Sequence, residues 1–117
     1  MARVTATANP SPSPADHPVE TVAGLEELAE AFQTLQTSEE VTRFLRDLCT
    51  LPELEALAHR WQTARLVAVG VPYLEVAARV PTSTATVTRV AQWLRHGTGG
   101  YRLALERMQT SQTSRRP

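Results

Sequence analysis

YLEVAARVPTSTATVTRVAQWLRHG, residues 73–97, decides how the chain is read. Counted from Tyr73 as the first position of a helix-turn-helix unit (73–96), Val76, Val80, Val87 and Val90 fall at positions four, eight, fifteen and eighteen. That spacing turns one apolar face of each helix toward the other. Ala77, fifth in the unit, is small where the two helices cross closest. Pro81 stands at the ninth position, where such turns usually carry a glycine with positive φ. Its ring fixes φ near −65°, so the turn must take a different backbone route into Thr82. Thr82 or Ser83 can then cap the second helix by accepting a hydrogen bond from its free N–H groups.

With Val87, Val90, Ala91 and Leu94 facing inward, a helical wheel leaves Ala85, Thr88, Arg89, Gln92 and His96 on the outer face. That face is short at its start and basic further along. Short side chains let a helix N-terminus sit deep in a major groove, where hydroxyls and a methyl group meet base edges and thymine methyls. The expected partner is double-stranded DNA, contacted by Ser83, Thr84 and Gln92 and with Ala85 and Thr88 reading the bases. Arg79, Arg89 and Arg95 are expected on the phosphates. A plain helical hairpin facing water, or a helix-turn-helix reused as a protein-binding adaptor, fits the same pattern.

Upstream of this unit the periodicity stays helical. Val22, Leu25, Leu28, Ala29, Phe32 and Leu35 recur at three and four residues and predict a first helix. Thr37 with Glu40 has capping-box spacing and opens a second helix, in which Val41, Phe44, Leu45 and Leu48 share a face. Thr50 with Glu53 repeats the box, with Pro52 in the first turn, where its missing N–H costs nothing. The third helix so begun runs to about Gly70, a suitable C-terminal cap. It carries the stripe Leu54, Leu57, Ala58, Trp61, Ala64 and Ala68, while Leu66, Val67 and Val69 extend the apolar surface around its end. A helix apolar nearly all round must be buried on several sides. In 117 residues, that predicts a second subunit.

The formal charge is zero, but it is not evenly spread. Residues 1–57 hold ten acids against three arginines, and residues 58–117 hold nine arginines against two acids. A cationic half joined to an anionic half is the pattern of a surface that meets a polyanion. Every basic residue is arginine, whose planar fork suits phosphates and guanine edges. The first twenty residues are rich in Pro, Ser, Thr and Ala and are expected to form a disordered tail, as are residues 110–117. One helical domain, 21–109, lies between them.

Cys49 is single, so neither an intramolecular disulfide nor a cysteine-rich metal site can form, and its apolar neighbours predict a buried, inert thiol. The most apolar stretch, LVAVGVPYLEVAARV, is interrupted by Gly70, Pro72 and Glu75 and falls short of a membrane span. With no basic start and apolar segment of a secretory signal, the expected location is the cytoplasm. His17, His59 and His96 are isolated, no metal-ligand spacing is present, and no glycine-rich phosphate loop follows a strand. Neither catalysis nor a cofactor is expected.

Three blocks in order carry a resemblance: FLRDLCTLPELEALAHRW, STATVTRV and HGTGGYRLAL. Over roughly residues 40–107 the chain resembles the Trp repressor superfamily, and within it the YerC/YecD branch, whose signature Gly97, Gly99, Gly100 and Tyr101 match. The resemblance implies an all-α, interleaved homodimer that sets its helix-turn-helix units in two half-sites about one DNA turn apart and represses transcription. Thr50, Arg60 and Arg89 stand where the family's tryptophan site has a threonine and two arginines. Val90 and Trp93, however, replace a glycine and a serine that must be small to admit an indole. Trp93 is expected to take the ligand's own space, leaving the pocket filled from within and tryptophan unbound.

Overall fold

The computed structural model describes the backbone of residues 22–115 and the side chains to Ser111. The expected N-terminal tail therefore lies outside the described residues. Within them the chain is all helical: α1 Leu25–Gln33, α2 Ser38–Leu48, α3 Leu51–Ala68, α4 Tyr73–Arg79, α5 Thr84–His96 and α6 Gly100–Arg115.

The helix boundaries follow from side-chain chemistry. Thr37 accepts from the Glu40 N–H, while the Glu40 carboxylate accepts from the Gln36 N–H, one residue earlier than a full capping box requires. At α3 the box is complete: Thr50 accepts from the Glu53 N–H, and Glu53 Oε1 accepts from the Thr50 N–H at 2.8 Å. Gly70 ends α3 with φ 90°, a left-handed backbone that glycine adopts at no steric cost. The Gly70 N–H reaches the Val67 carbonyl and the Val71 N–H reaches that of Leu66, so the two free carbonyls are satisfied as the chain reverses. The first helix begins at Leu25 rather than Val22, because Gly24 with φ 82° breaks the periodic run.

The core is small and lies around the helix-turn-helix. Val67, Val76, Val80, Val87, Ala91 and Leu94 form one buried cluster, with Ala77, Tyr101 and Leu105 packed on its edge. Val90 and Ala64 are buried as well. The four valines placed by counting from Tyr73 are thus all interior. Helix α5 packs across α3 and α4, and α6 packs along α5.

The first two helices bury nothing. Phe32 and Phe44 meet edge to face at 5.2 Å, yet Leu25, Leu48, Leu51 and Leu57 remain exposed, Leu51 to 69%. Among the described residues, nothing covers these leucines of α1, α2 and α3.

The C-terminus departs from expectation. Residues 110–115, read as a disordered tail, continue α6 to Arg115. Serine and threonine are weak helix formers, but extending an existing helix is far easier than nucleating one. Tyr101 and Leu105 dock the first turns of α6 on the core, and further on the Thr110 hydroxyl donates back to the Glu106 carbonyl at 3.0 Å. Cys49, expected to be buried, is a half-buried free thiol at the C-cap of α2.

Candidate nucleic-acid interface

The turn between α4 and α5 is built without positive φ. Val80 leaves α4 in an extended conformation, Pro81 follows, and the Thr82 N–H closes back to the Ala77 carbonyl at 3.3 Å. This is the alternative route that proline demands. Of the two candidate caps, Ser83 is the one used: its hydroxyl accepts from the Thr86 N–H and donates to Thr86 Oγ1, both at 3.1 Å. Ser83 thus has a structural task before any contact with a ligand, and it fixes the direction in which α5 leaves the turn.

Beyond the cap, Thr84, Ala85, Thr88, Arg89, Gln92 and Arg95 are all exposed, while Val87, Val90, Ala91 and Leu94 are buried. The wheel therefore divided α5 correctly. The exposed face has no acid over the length of the helix. With free N–H groups at its start, it presents partial positive charge and short side chains at one end and guanidinium groups along its length. Arg79 is exposed but paired with Glu75 one helical turn earlier, at 2.6 Å. That pair sits at the surface and is worth little in stability, but it gives Arg79 an acidic neighbour with which a phosphate must compete.

Trp93 does not fill the space expected of it. Trp93 is 40% exposed, and Cε3 of its indole lies beside Gly97, where a side chain would start. A Cβ built on Gly97 falls 2.4 Å from the Trp93 carbonyl oxygen and 2.9 Å from its Cε3 atom. Glycine at 97 gives the ring a place to lie aside. A cavity of about 380 Å³ remains, walled by Arg60, Thr86, Arg89, Val90, Trp93 and Tyr101. The sequence expectation of a pocket filled from within is corrected here, because rotamer choice at Trp93 depends on backbone room that composition does not reveal. Thr50, which the resemblance placed at this site, spends its hydroxyl on capping α3. Burial raises the pKa of the Tyr101 phenol, with the Arg60 guanidinium partly opposing that, so the hydroxyl stays protonated near neutrality. Tyr101 also stacks on Trp61 at 6.4 Å, which ties α6 to α3.

Gly97→Ala is expected to lower stability by about 1–3 kcal/mol, since the added methyl meets a backbone oxygen that cannot yield easily. A fall in the denaturant midpoint at fixed protein concentration is the reading. An unchanged midpoint would show that the α5–α6 loop relaxes freely.

Two residues at the edge of this surface were not singled out from sequence. Gln62 and Arg65, three apart on α3, flank a second cavity beside the turn. The spacing was visible, but only the fold brings that face of α3 next to Arg79 and Val80.

Six helices in this order, with a helix-turn-helix at α4–α5 and an outer face of α5 that carries arginines and no acid, define an all-α helix-turn-helix protein. The family model for the Trp repressor protein matches residues 23–109, and the chain belongs to that family. It is 36% identical over 89 residues to the uncharacterised protein YerC of Bacillus subtilis (strain 168), covering 76% of this chain and 86% of that one. A crystal structure of a proposed Trp repressor from Staphylococcus aureus is similar with a TM-score of 0.73 and 36% identity, over 80% of this chain and 95% of that chain. A TrpR-like protein from Eubacterium eligens superposes with a TM-score of 0.70 and 32% identity, over 74% of this chain and 90% of that chain. Among the described residues, no group of metal-ligating side chains is assembled and no helix is long and apolar enough to cross a membrane.

Proposed function

We propose that the chain is a sequence-specific DNA-binding transcriptional regulator that acts as a homodimer, setting α5 of each subunit in the major groove of a half-site. The observation that carries this is the exposed face of α5. It runs from Thr84 and Ala85 to Arg95 with no acidic residue, on a helix whose opposite face is wholly committed to the core. Short residues at its start admit the helix end to the groove, and the arginines beyond meet the phosphates that border it. Repression is the direction of control that the family's name supports, and the cytoplasm the compartment that suits it.

The uncovered apolar stripe of α1, α2 and α3 supports the dimer, since two copies would bury it against each other. A protein-binding adaptor would use the acidic first helices instead. Anisotropy of a labelled duplex of mixed sequence, titrated from about 50 to 200 mM salt, separates the readings. A regulator that neutralises several phosphates loses affinity steeply over that range. Absence of any duplex binding would overturn the proposal.

Tryptophan is not part of this reading. Although Trp93 lies aside, it still forms one wall of the Arg60–Arg89 cavity, and the branched, buried Val90 forms another. DNA affinity is expected to be the same with and without free L-tryptophan. Titration calorimetry showing micromolar binding, together with tighter duplex binding, would contradict this.

A further inference from the structure

We propose that the open cavity between α3 and the end of α4 holds a phosphodiester of the DNA backbone, gripped by Arg65 and Gln62 beside Arg79. The inference rests on the DNA-binding reading above and adds to it a contact made outside the helix-turn-helix itself.

The cavity, about 420 Å³, is walled by Gln62, Arg65, Leu66, Val69, Arg79 and Val80. Its place is the first point. Val80 begins the turn that leads within three residues to Ser83, the cap of α5. When the start of α5 enters a groove, the segment just before it must lie against the strand that borders the groove. The cavity opens on that segment.

Its chemistry is the second point. Two guanidinium groups and one amide line it, and no acid does. Arg79 already has an acidic partner, the Glu75 carboxylate at 2.6 Å. Arg65 and Gln62 are exposed, with no hydrogen-bond or ion-pair partner among the described residues. They lie one turn apart on the same face of α3 and converge on one space. The uncompensated cation of this corner is therefore Arg65, and its planar fork can take two oxygens of one phosphate.

The apolar rim decides between sources of phosphate. Leu66, Val69 and Val80 form the rest of the wall, with Val69 exposed to 76%. A free phosphate ion has nothing to place against three aliphatic side chains. A nucleic-acid backbone has deoxyribose carbons directly beside each phosphate, and an open cavity lets a continuous strand pass through.

The test uses the full chain with Arg65→Gln, Arg65→Lys and Gln62→Ala, each checked for an unaltered melting curve, which the exposure of both residues leads one to expect. Binding to a mixed-sequence duplex is measured as a function of salt. Each lost phosphate contact removes about 0.9 from the slope of log affinity against log salt, so Arg65→Gln should flatten it by about 1.8 for the two copies in a dimer. Arg65→Lys should restore most of the slope, because the charge returns without the fork. Gln62→Ala should weaken binding with the slope unchanged. If the parent binds duplex steeply and Arg65→Gln has the parent's slope, the cavity is not a backbone site while the DNA-binding reading stands. If the parent binds no duplex, that reading itself fails. A final arm titrates inorganic phosphate alone into the parent protein: saturable binding lost in Arg65→Gln, with the DNA slope unmoved, would mark a free-anion site and overturn the proposal.

Discussion

Leu57→Gln is expected to break the molecule's assembly while leaving the single chain's own contacts almost untouched. In the chain by itself Leu57 is 42% exposed on α3, and glutamine is as good a helix former as leucine. For a monomer the change would therefore fall within about 0.5 kcal/mol, the usual range for surface substitutions. If a second copy covers α1, α2 and α3, the same change removes a buried apolar side chain and leaves an amide to be satisfied in an apolar interface. Together these cost about 2–5 kcal/mol per site, and a two-fold axis applies the cost twice. The parent should sediment at about twice 12.9 kDa and melt at a temperature that rises with protein concentration. Leu57→Gln should sediment as a monomer or unfold near room temperature. A parent that stays monomeric, with a melting point independent of concentration, would sink the dimer.

That expectation began as a remark on sequence: α3 is apolar on too many sides. Which leucines of α1, α2 and α3 stay exposed is seen only in the structure, because the local signals and the long-range ones differ in how they are written. Capping is local. Thr50 and Glu53 find each other three residues apart, and Gly70 reverses the chain through its own φ, so helix ends were legible from a few neighbouring letters. The valines of the helix-turn-helix were legible for a related reason, since a fixed period places them on one face whatever lies opposite.

Side-chain placement across elements was not legible in the same way. Whether Trp93 fills the ligand space or lies aside depends on Gly97, four residues on, and on how closely the ring can approach that backbone. A helical wheel carries no such information. The Glu75–Arg79 pair has the i,i+4 spacing that sequence does reveal, yet its effect on the site, giving one of the arginines assigned to phosphate an acidic neighbour, appears only once Arg65 is seen on the same cavity. The extension of α6 is not legible in its polar composition, because a helix already docked by Tyr101 and Leu105 continues without need of further apolar anchors.

The division of labour along α5 leads to the last expected result: Thr88→Ala should change which sequences are bound, and Arg95→Ala should change only how tightly. Thr88 lies on the exposed face one turn in from the cap, within reach of base edges when the N-terminus sits in a groove about 8.5 Å deep. Arg95 lies near the far end of the same helix. At 1.5 Å per residue, it is roughly 16 Å along the axis from Thr84, about twice the groove's depth. Its guanidinium meets the backbone, which is the same at every base pair. Loss of the Thr88 hydroxyl and methyl should relax discrimination by about 1–3 kcal/mol at particular base positions, with little effect on the salt slope. Loss of the Arg95 charge should weaken all duplexes alike and flatten the slope by about one per subunit. Selection of bound sequences from a random library, followed by salt titration on the selected and an unrelated duplex, reads both effects. Altered preference in Arg95→Ala with none in Thr88→Ala would mean that α5 lies along the groove rather than entering it by its N-terminus, and the assignment of base-reading to the short end of the helix would be reversed.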